Sequence, residues 1–290
     1  MKELALVYSG GTDSTCVAAL KAGEYERIHL LTYREYGTRG APSPVCNVEK
    51  LRAKFGPDKF VHRLLDIDHL LREISRDRYP SYLARHGFFM LSSCGFSSLS
   101  WHTRTLIYCL EHGISTVADG LTRELPHFPG HMDAVVDAFG ELYAEFGVNY
   151  VNPVRDWPAP ADPRFLDRLI VDRHHELAHT LEGFSEDPRT EGRSTEVPGT
   201  TGWYLYEQGL MPHPNVKGTD MDHSMQHACY PFVLFNIFAF WYYLSWHDYG
   251  QYERRMSALF REKIADVKSW VSAYRKDGPL SRLGALLEPH

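Results

Sequence analysis

The sequence has no CxxC pair, and its five cysteines, Cys16, Cys46, Cys94, Cys109 and Cys229, are odd in number and far apart. That excludes a disulfide framework of the kind that staples small exported domains. Positive charge is not in surplus either: 31 Lys and Arg against 37 Asp and Glu leave a net charge of -6. A sequence-independent grip on nucleic acid rests on clustered cations, so a small-molecule substrate is favoured and transfer RNA is a disfavoured partner. Long apolar runs are lacking: Tyr230 to Trp246 falls short of the about 20 residues of a membrane span, and Asn236 interrupts it. Its many aromatics suit a buried helix, a pocket wall or a homodimer surface, with no membrane partner. Met1 to Tyr8 carry no basic region ahead of an apolar leader, so a cytoplasmic location is the expectation.

What is present is enough apolar material for a full core, 43% of 290 residues. In the first half, strand-like runs alternate with helical patterns: Leu4 to Tyr8, Asp13 to Ala22, Ile28 to Tyr33, Val45 to Phe55, Phe60 to Leu65 and Ile67 to Arg76. An irregular Tyr-Pro and Gly segment follows, then a helix over Leu99 to Glu111, a strand over Ile114 to Ala118, a helix over Asp133 to Phe146 and a strand over Asn149 to Val154. Such alternation predicts an α/β fold with a parallel, Rossmann-like sheet. The prolines from Pro153 to Pro163 mark a change of regime, which divides the chain into a nucleotide-binding domain, 1–155, and a helical carboxyl-terminal region, 156–290. Within the latter, Phe165 to Leu181 and Tyr230 to Tyr274 have helical spacing, and 185–202 has the composition of a mobile loop.

The most informative segment is Ser9-Gly10-Gly11-Thr12-Asp13-Ser14-Thr15, between the first strand and the first helix. Its glycines allow a tight turn whose backbone N–H groups face an anion, and the helix terminus adds partial positive charge. Ser9, Ser14 and Thr15 offer hydroxyl donors to phosphate oxygens, while Asp13 either holds the turn or helps coordinate a magnesium ion. No Gly-Lys-Ser/Thr follows and the spacing is not GxGxxG, so this is neither a Walker loop nor a dinucleotide fingerprint.

SGGTDST resembles the SGGxDS motif of the PP-loop ATP pyrophosphatases, and the stretch from Ser9 to Arg39 is similar to the opening of the 7-cyano-7-deazaguanine synthases, including Tyr36-Gly37. Ile114 to Gly120 and Tyr150 to Val154 resemble, more loosely, the fourth and fifth strands of the group. The resemblance implies a fold of that type, with ATP and Mg2+ as cofactors, that adenylates a carbonyl or carboxylate while ATP becomes AMP and pyrophosphate. It makes Ser9 to Ser14 the pyrophosphate cradle, flanked by Tyr8 and Thr15. It also puts adenine near Thr32 and Tyr33 and brings Gly120 close to the nucleotide. The synthases' carboxyl-terminal cluster of four zinc-binding cysteines has no counterpart here beyond Cys229.

An adenylated substrate needs a nucleophile, which in this group is sulfur or nitrogen. Cys94, ahead of a helix that bears Arg104, resembles the cysteine-bearing segment of the sulfur-inserting members, and a helix terminus with a nearby cation favours a thiolate. The expectation is a catalytic set of Asp13, Cys94, Arg104 and Cys229 in thiolation of a nucleobase-like metabolite, with a sulfur donor as partner. Cys46, Cys94 and Cys229 could converge on a [4Fe-4S] cluster, carry sulfur without metal, or simply pack in the interior. Nitrogen transfer from ammonia needs none of them.

Three weaker signals stand beside these. His175 to His179 reads HExxH, a zinc-hydrolase pattern, but with 16 histidines in the chain it arises readily by chance. His223 and His227 are also four apart, beside Asp220 and Asp222. Arg123, Arg155 and Lys217 are candidate phosphate or substrate contacts at strand ends or in loops.

Overall fold

The computed structural model describes residues 2–35, 38–39, 45–123, 128–158, 198–216, 228–229, 235 and 237–287. The HExxH segment, His223 and His227, Lys217, the helical spacing at 165–181 and most of 185–202 lie outside the described residues.

Five strands form one parallel sheet: β1 (Glu3–Val7), β2 (Arg27–Arg34), β4 (Phe60–Asp66), β5 (Thr116–Ala118) and β6 (Asn149–Val151), in the order β4-β2-β1-β5-β6. The central strand β1 is buried on both faces, with Leu4, Ala5 and Leu6 fully inaccessible, which is why it reads as a continuous apolar run rather than an alternation. Its register pairs Leu6 with Leu30 on one side and with Ala118 on the other, so the carboxyl ends of β1, β2 and β5 sit together. A short antiparallel pair joins β3 (Thr38–Arg39) to β7 (Ala228–Cys229).

Helices cover both faces. On one lie α1 (Thr12–Lys21), α2 (Val45–Phe55) and, much later in the chain, α7 (Thr201–Glu207); their core holds Leu4, Leu6, Val17, Leu51, Leu205 and Met211. On the other lie α3 (Asp68–Arg76), α4 (Tyr79–His86), α5 (Ser93–His112), α6 (Asp133–Glu145) and the long α8 (Tyr249–Asp277), followed by α9 (Arg282–Leu287). α8 begins at an Asp248 cap that accepts from Gln251 N and buries Tyr252, Met256, Leu259, Phe260, Ile264, Val267 and Val271 at helical spacing. This is an α/β Rossmann-like fold with a helical carboxyl-terminal region. Both cores draw residues from either side of Arg155. No helix among the described residues is long and apolar enough to cross a membrane.

Several elements differ from the sequence expectation. The irregular segment after Arg76 contains α4, which starts with Pro80 in its first turn, where the missing N–H costs nothing. α5 starts at Ser93 rather than Leu99, because Phe96 and Leu99 bury inward and carry the small polar residues around them into the helix. β6 ends at Val151, since Pro153 cannot donate to a ladder, and a turn takes the chain on. The carboxyl end of the expected mobile loop is the start of α7, capped by the Thr200 hydroxyl, which accepts from Trp203 N. Part of the aromatic run, Ile237–Tyr243, is a π-helix, and the α-helix resumes only at Tyr249.

Candidate active site

β1 continues through Tyr8, whose N–H donates to Leu31 O at 2.8 Å, and the chain then turns sharply at Gly10, where φ is +83°. A side chain at that φ is strained, so this position favours glycine. The turn is held from three sides. Ser9 Oγ accepts from Gly11 N and pairs with Ser14 Oγ, both at 3.2 Å. Asn47 at the start of α2 donates to Gly10 O at 2.8 Å, and Thr32 on β2 donates to Tyr8 O at 2.8 Å. The Tyr8 phenol pairs with Thr15 Oγ1 at 3.2 Å, and burial raises its pKa, so it stays protonated. The first helical bond is Thr15 N to Gly11 O; the N–H groups ahead of it open along the axis at the positive end of the helix dipole, the geometry of an anion cradle.

Gly120 closes the cradle from β5. A Cβ on it would lie 2.6 Å from Ser14 N and 2.8 Å from Asp13 C, backbone atoms that cannot yield as a side chain can. Behind it stands Asp119, 1% exposed, with Leu121 N donating to Oδ1 at 3.1 Å, the Tyr150 phenol donating to Oδ2 and His102 Nε2 at 3.8 Å. Burial raises the Asp119 carboxyl to about 6, against the Tyr150 and Leu121 hydrogen bonds and the more distant Arg155 charge. Burial also pushes His102 down to about 3, so it is neutral; it stacks on Phe139 and pairs through Nδ1 with the Tyr143 phenol at 3.1 Å.

The far end of the chain returns to this point. Thr201, 2% exposed at the start of α7, donates from Oγ1 to Asp13 Oδ1. Lys54 on α2 donates to Gln208 O, and Leu205 and Leu210 pack with Cys16 and Val17, so α7 is seated over α1 beside the loop. Composition alone hid this residue, because Thr-Thr-Gly reads as loop.

The remaining expected residues are placed as follows. Thr32 Oγ1 bridges Tyr8 O and His62 Nε2, tying β2 to the loop. Tyr33 turns to α5, where its ring stacks on Trp101 and its phenol pairs with Thr105. Cys94, 6% exposed, lies in the first turn of α5. Cys94, Ser97, Trp101 and Thr105 recur at three- and four-residue spacing and share the face that meets the end of β2. Arg104 does not accompany Cys94: it lies nearly three turns further along the same helix, about 15 Å away, and faces Glu111 at 3.6 Å. Cys46 is exposed at the start of α2, on the opposite face of the sheet from Cys94. Cys229 is described only through its backbone pairing with Thr38. Among the described residues no three His, Cys, Asp or Glu gather to hold a metal.

Arg155 is a clamp rather than an open phosphate contact. Its guanidinium donates to Thr122 O, His131 O and Asp133, joining the segment after β5 to the start of α6. Arg123 is paired with Asp133 and Asp156 at the surface. Two residues at the sheet's carboxyl edge had escaped the sequence reading. Glu35, just beyond β2, is buried and accepts from Trp101 Nε1 at 3.3 Å; burial raises its pKa. Asn152, just beyond β6, has both amide atoms buried without a partner among the described residues. Neither carries a local sequence signal beyond its place at a strand end.

No family model matches the chain, and no curated protein does. Among solved structures, the chain is similar to one described as a predicted subunit of tRNA methyltransferase from Methanocaldococcus jannaschii. The two are 19% identical, the match covers 53% of this chain and 69% of that one, and the TM-score is 0.31. The likeness is partial and says nothing about activity.

Proposed function

We propose that this chain is an ATP-dependent adenylating enzyme of the PP-loop ATP pyrophosphatase kind. The observation that supports this most is the junction at the sheet's carboxyl edge, where the SGGTDST turn, the first turn of α1 and the close-packed Gly120 meet. Ligands of open α/β sheets collect at that edge. The N–H groups of the cradle would receive the phosphates of ATP, and Asp13, the loop's carboxylate, would be the residue to hold Mg2+ there. The chemistry such an ion would supply is neutralisation of the charge developing on pyrophosphate. A carbonyl or carboxylate oxygen of the substrate attacks the α-phosphorus, and the bond to the bridging oxygen breaks. Pyrophosphate leaves with the electron pair and the substrate becomes an adenylate.

A sulfur nucleophile then displaces AMP: Cys94 at the head of α5, charged as a persulfide by a separate sulfur donor, attacks through its outer sulfur. An external thiol reductant splits the resulting disulfide to release the thiolated product, a nucleobase-like metabolite being the favoured substrate class. Cys46 and Cys94 stand on opposite faces of the sheet, and no step is routed through an iron-sulfur cluster. The separation of Arg104 from Cys94 favours a second reading of this half-reaction, carbon-nitrogen bond formation with ammonia, because the cation expected to hold a Cys94 thiolate is engaged elsewhere.

The test is calorimetric binding of Mg·ATP followed by product analysis with candidate carboxylic acids and lactams. AMP and pyrophosphate are the expected products; ADP and phosphate, or no ATP binding, would overturn the reading. Cys94→Ser separates the two second steps: adenylation with loss of product supports sulfur, and full product formation with ammonium supports nitrogen.

A further inference from the structure

Asp119 is buried beside the nucleotide cradle but is turned away from it. Its carboxylate is fixed by β6 through Tyr150 and by its own turn through Leu121 N, and neutral His102 of α5 faces it at 3.8 Å. Its backbone continues into Gly120, which abuts Ser14 N without room for a methyl group. Anything that alters the charge of this carboxylate acts on the groups that position the cradle, and a charge placed in the cradle acts back on the carboxylate through a water-poor interior. We propose that Asp119 is a positioning residue for the cradle and that binding of nucleotide phosphates there draws a proton onto it. This rests on the ATP reading above.

The groups facing Asp119 set the direction. Tyr150 from β6 and Tyr143 from α6 are neutral phenols held protonated by burial, and His102 from α5 is neutral. Arg155, after β6, is the cation that favours the ionised form, and its fork is committed to Thr122, His131 and Asp133. From α1, Asp13 and Ser14 abut Gly120 through backbone atoms, and the Asp13 carboxylate is bonded to Thr201. No cation among these groups stands in hydrogen-bond contact with the Asp119 carboxylate. Phosphate anions arriving at the Ser14 N–H therefore add repulsion that protonation of Asp119 relieves. By linkage, if the phosphates raise the Asp119 pKa by one unit, ATP binds tenfold more tightly below that range than above it.

The experiment is titration calorimetry of Mg·ATP between pH 5.5 and 8 in buffers of different ionisation enthalpy. The expected result is net uptake of a fraction of a proton near pH 6 to 7 and an affinity that weakens about tenfold toward pH 8. Asp119→Asn should bind Mg·ATP with no such uptake, which subtracts the nucleotide's own titration. Tyr150→Phe, which removes a donor to the ionised carboxylate, should move the uptake to higher pH and serves if the Asn variant fails to fold. ATP binding with no proton uptake, or with uptake unchanged in both variants, overturns this proposal alone. No ATP binding at any pH overturns the proposed function itself.

Discussion

Replacing Gly120 by Ala tests whether the contact between β5 and the first turn of α1 builds the nucleotide site. The new Cβ would stand 2.6 Å from Ser14 N, 2.8 Å from Asp13 C and 2.9 Å from Ser14 Cα, whereas ordinary contact begins near 3.4 Å. Something must move by roughly 0.8 Å, and neither side is loose. Ala118 is paired with Leu6 and Val151, and the α1 turn is locked by the Thr15 to Gly11 bond and the Ser9–Ser14 pair. Overpacking of this kind costs about 1–3 kcal/mol, a fall in Tm of roughly 2–10 °C for a domain of this size. Moving a cradle N–H that far from a phosphate oxygen forfeits a hydrogen bond to a charged group, about 1.5–3 kcal/mol, so the Kd for Mg·ATP should weaken roughly 10- to 100-fold. The matched control is Gly113→Ala. Gly113 ends α5 at φ +67° with nothing within 4 Å of a built Cβ, so alanine there costs about 1–2 kcal/mol in backbone strain at the opposite end of the sheet. Calorimetry and thermal melts on both variants decide the matter. Wild-type ATP affinity in Gly120→Ala, or an equal loss in Gly113→Ala, would refute the reasoning.

Three other outcomes follow from the same geometry. Burial lowers the pKa values of His102 to about 3 and His131 to about 4, so below pH 6.5 the unfolded chain takes up two protons the native fold refuses. Asp119, raised to about 6, takes one in the native fold; these three groups alone make stability fall by about 1.4 kcal/mol per pH unit from pH 6 to pH 4, and His29, His62 and His86, also lowered by burial, steepen the fall. Chemical denaturation across that range should show at least this slope, and a flat profile would mean that these histidines are not held neutral in the native fold. If Asp13 holds Mg2+ as proposed, Thr201→Val, which removes the donor to Asp13, should raise the magnesium concentration needed for half-maximal ATP binding at least threefold; an unchanged requirement would detach α7 from the proposed nucleotide site. Lys263→Met leaves Ile74 O and Asp77 O at the end of α3 without the ammonium that reaches them at 2.7 and 3.2 Å. Thermal melts should report a loss of about 1–3 kcal/mol, and unchanged stability would mean that water replaces the lysine.

The parts legible in the sequence are those written locally. Five strands and their helices follow from apolar runs of the right length, and the SGGTDST turn is contiguous, so its strand–turn–helix setting could be read directly. Gly120 was legible from its place at the carboxyl end of a strand and through resemblance, but the reason it must be glycine is a contact with residues more than a hundred positions earlier. Ser93 to Ser98 are weak helix formers whose helix depends on burial against other elements, so local propensity misplaces its start. Thr201 sits in a segment whose composition is that of a loop; its capping residue, Thr200, was a readable signal. The expected partnership of Cys94 with Arg104 failed for a simple reason: residues ten apart on one helix are far apart in space, however near they stand in the sequence.

Asp119 separates the demands of folding from those of the site. A carboxyl whose folded pKa lies above its unfolded value stabilises the protein only below the unfolded pKa, and that contribution is lost as pH rises through about 6. From the usual 3.8 to about 6 is about two units, so at pH 8 the ionised Asp119 costs on the order of 3 kcal/mol. Asn at this position keeps an acceptor for Leu121 N and offers Tyr150 a donor in place of Oδ2, with no buried charge. Asp119→Asn should therefore equal or exceed the wild type in denaturant stability at pH 8 and converge with it below pH 4, while changing the pH dependence of nucleotide binding. A variant less stable than the wild type at pH 8 but equal to it at low pH would show that the ionised carboxylate is a structural partner of Arg155, and would remove the premise that its ionised form is costly in the fold.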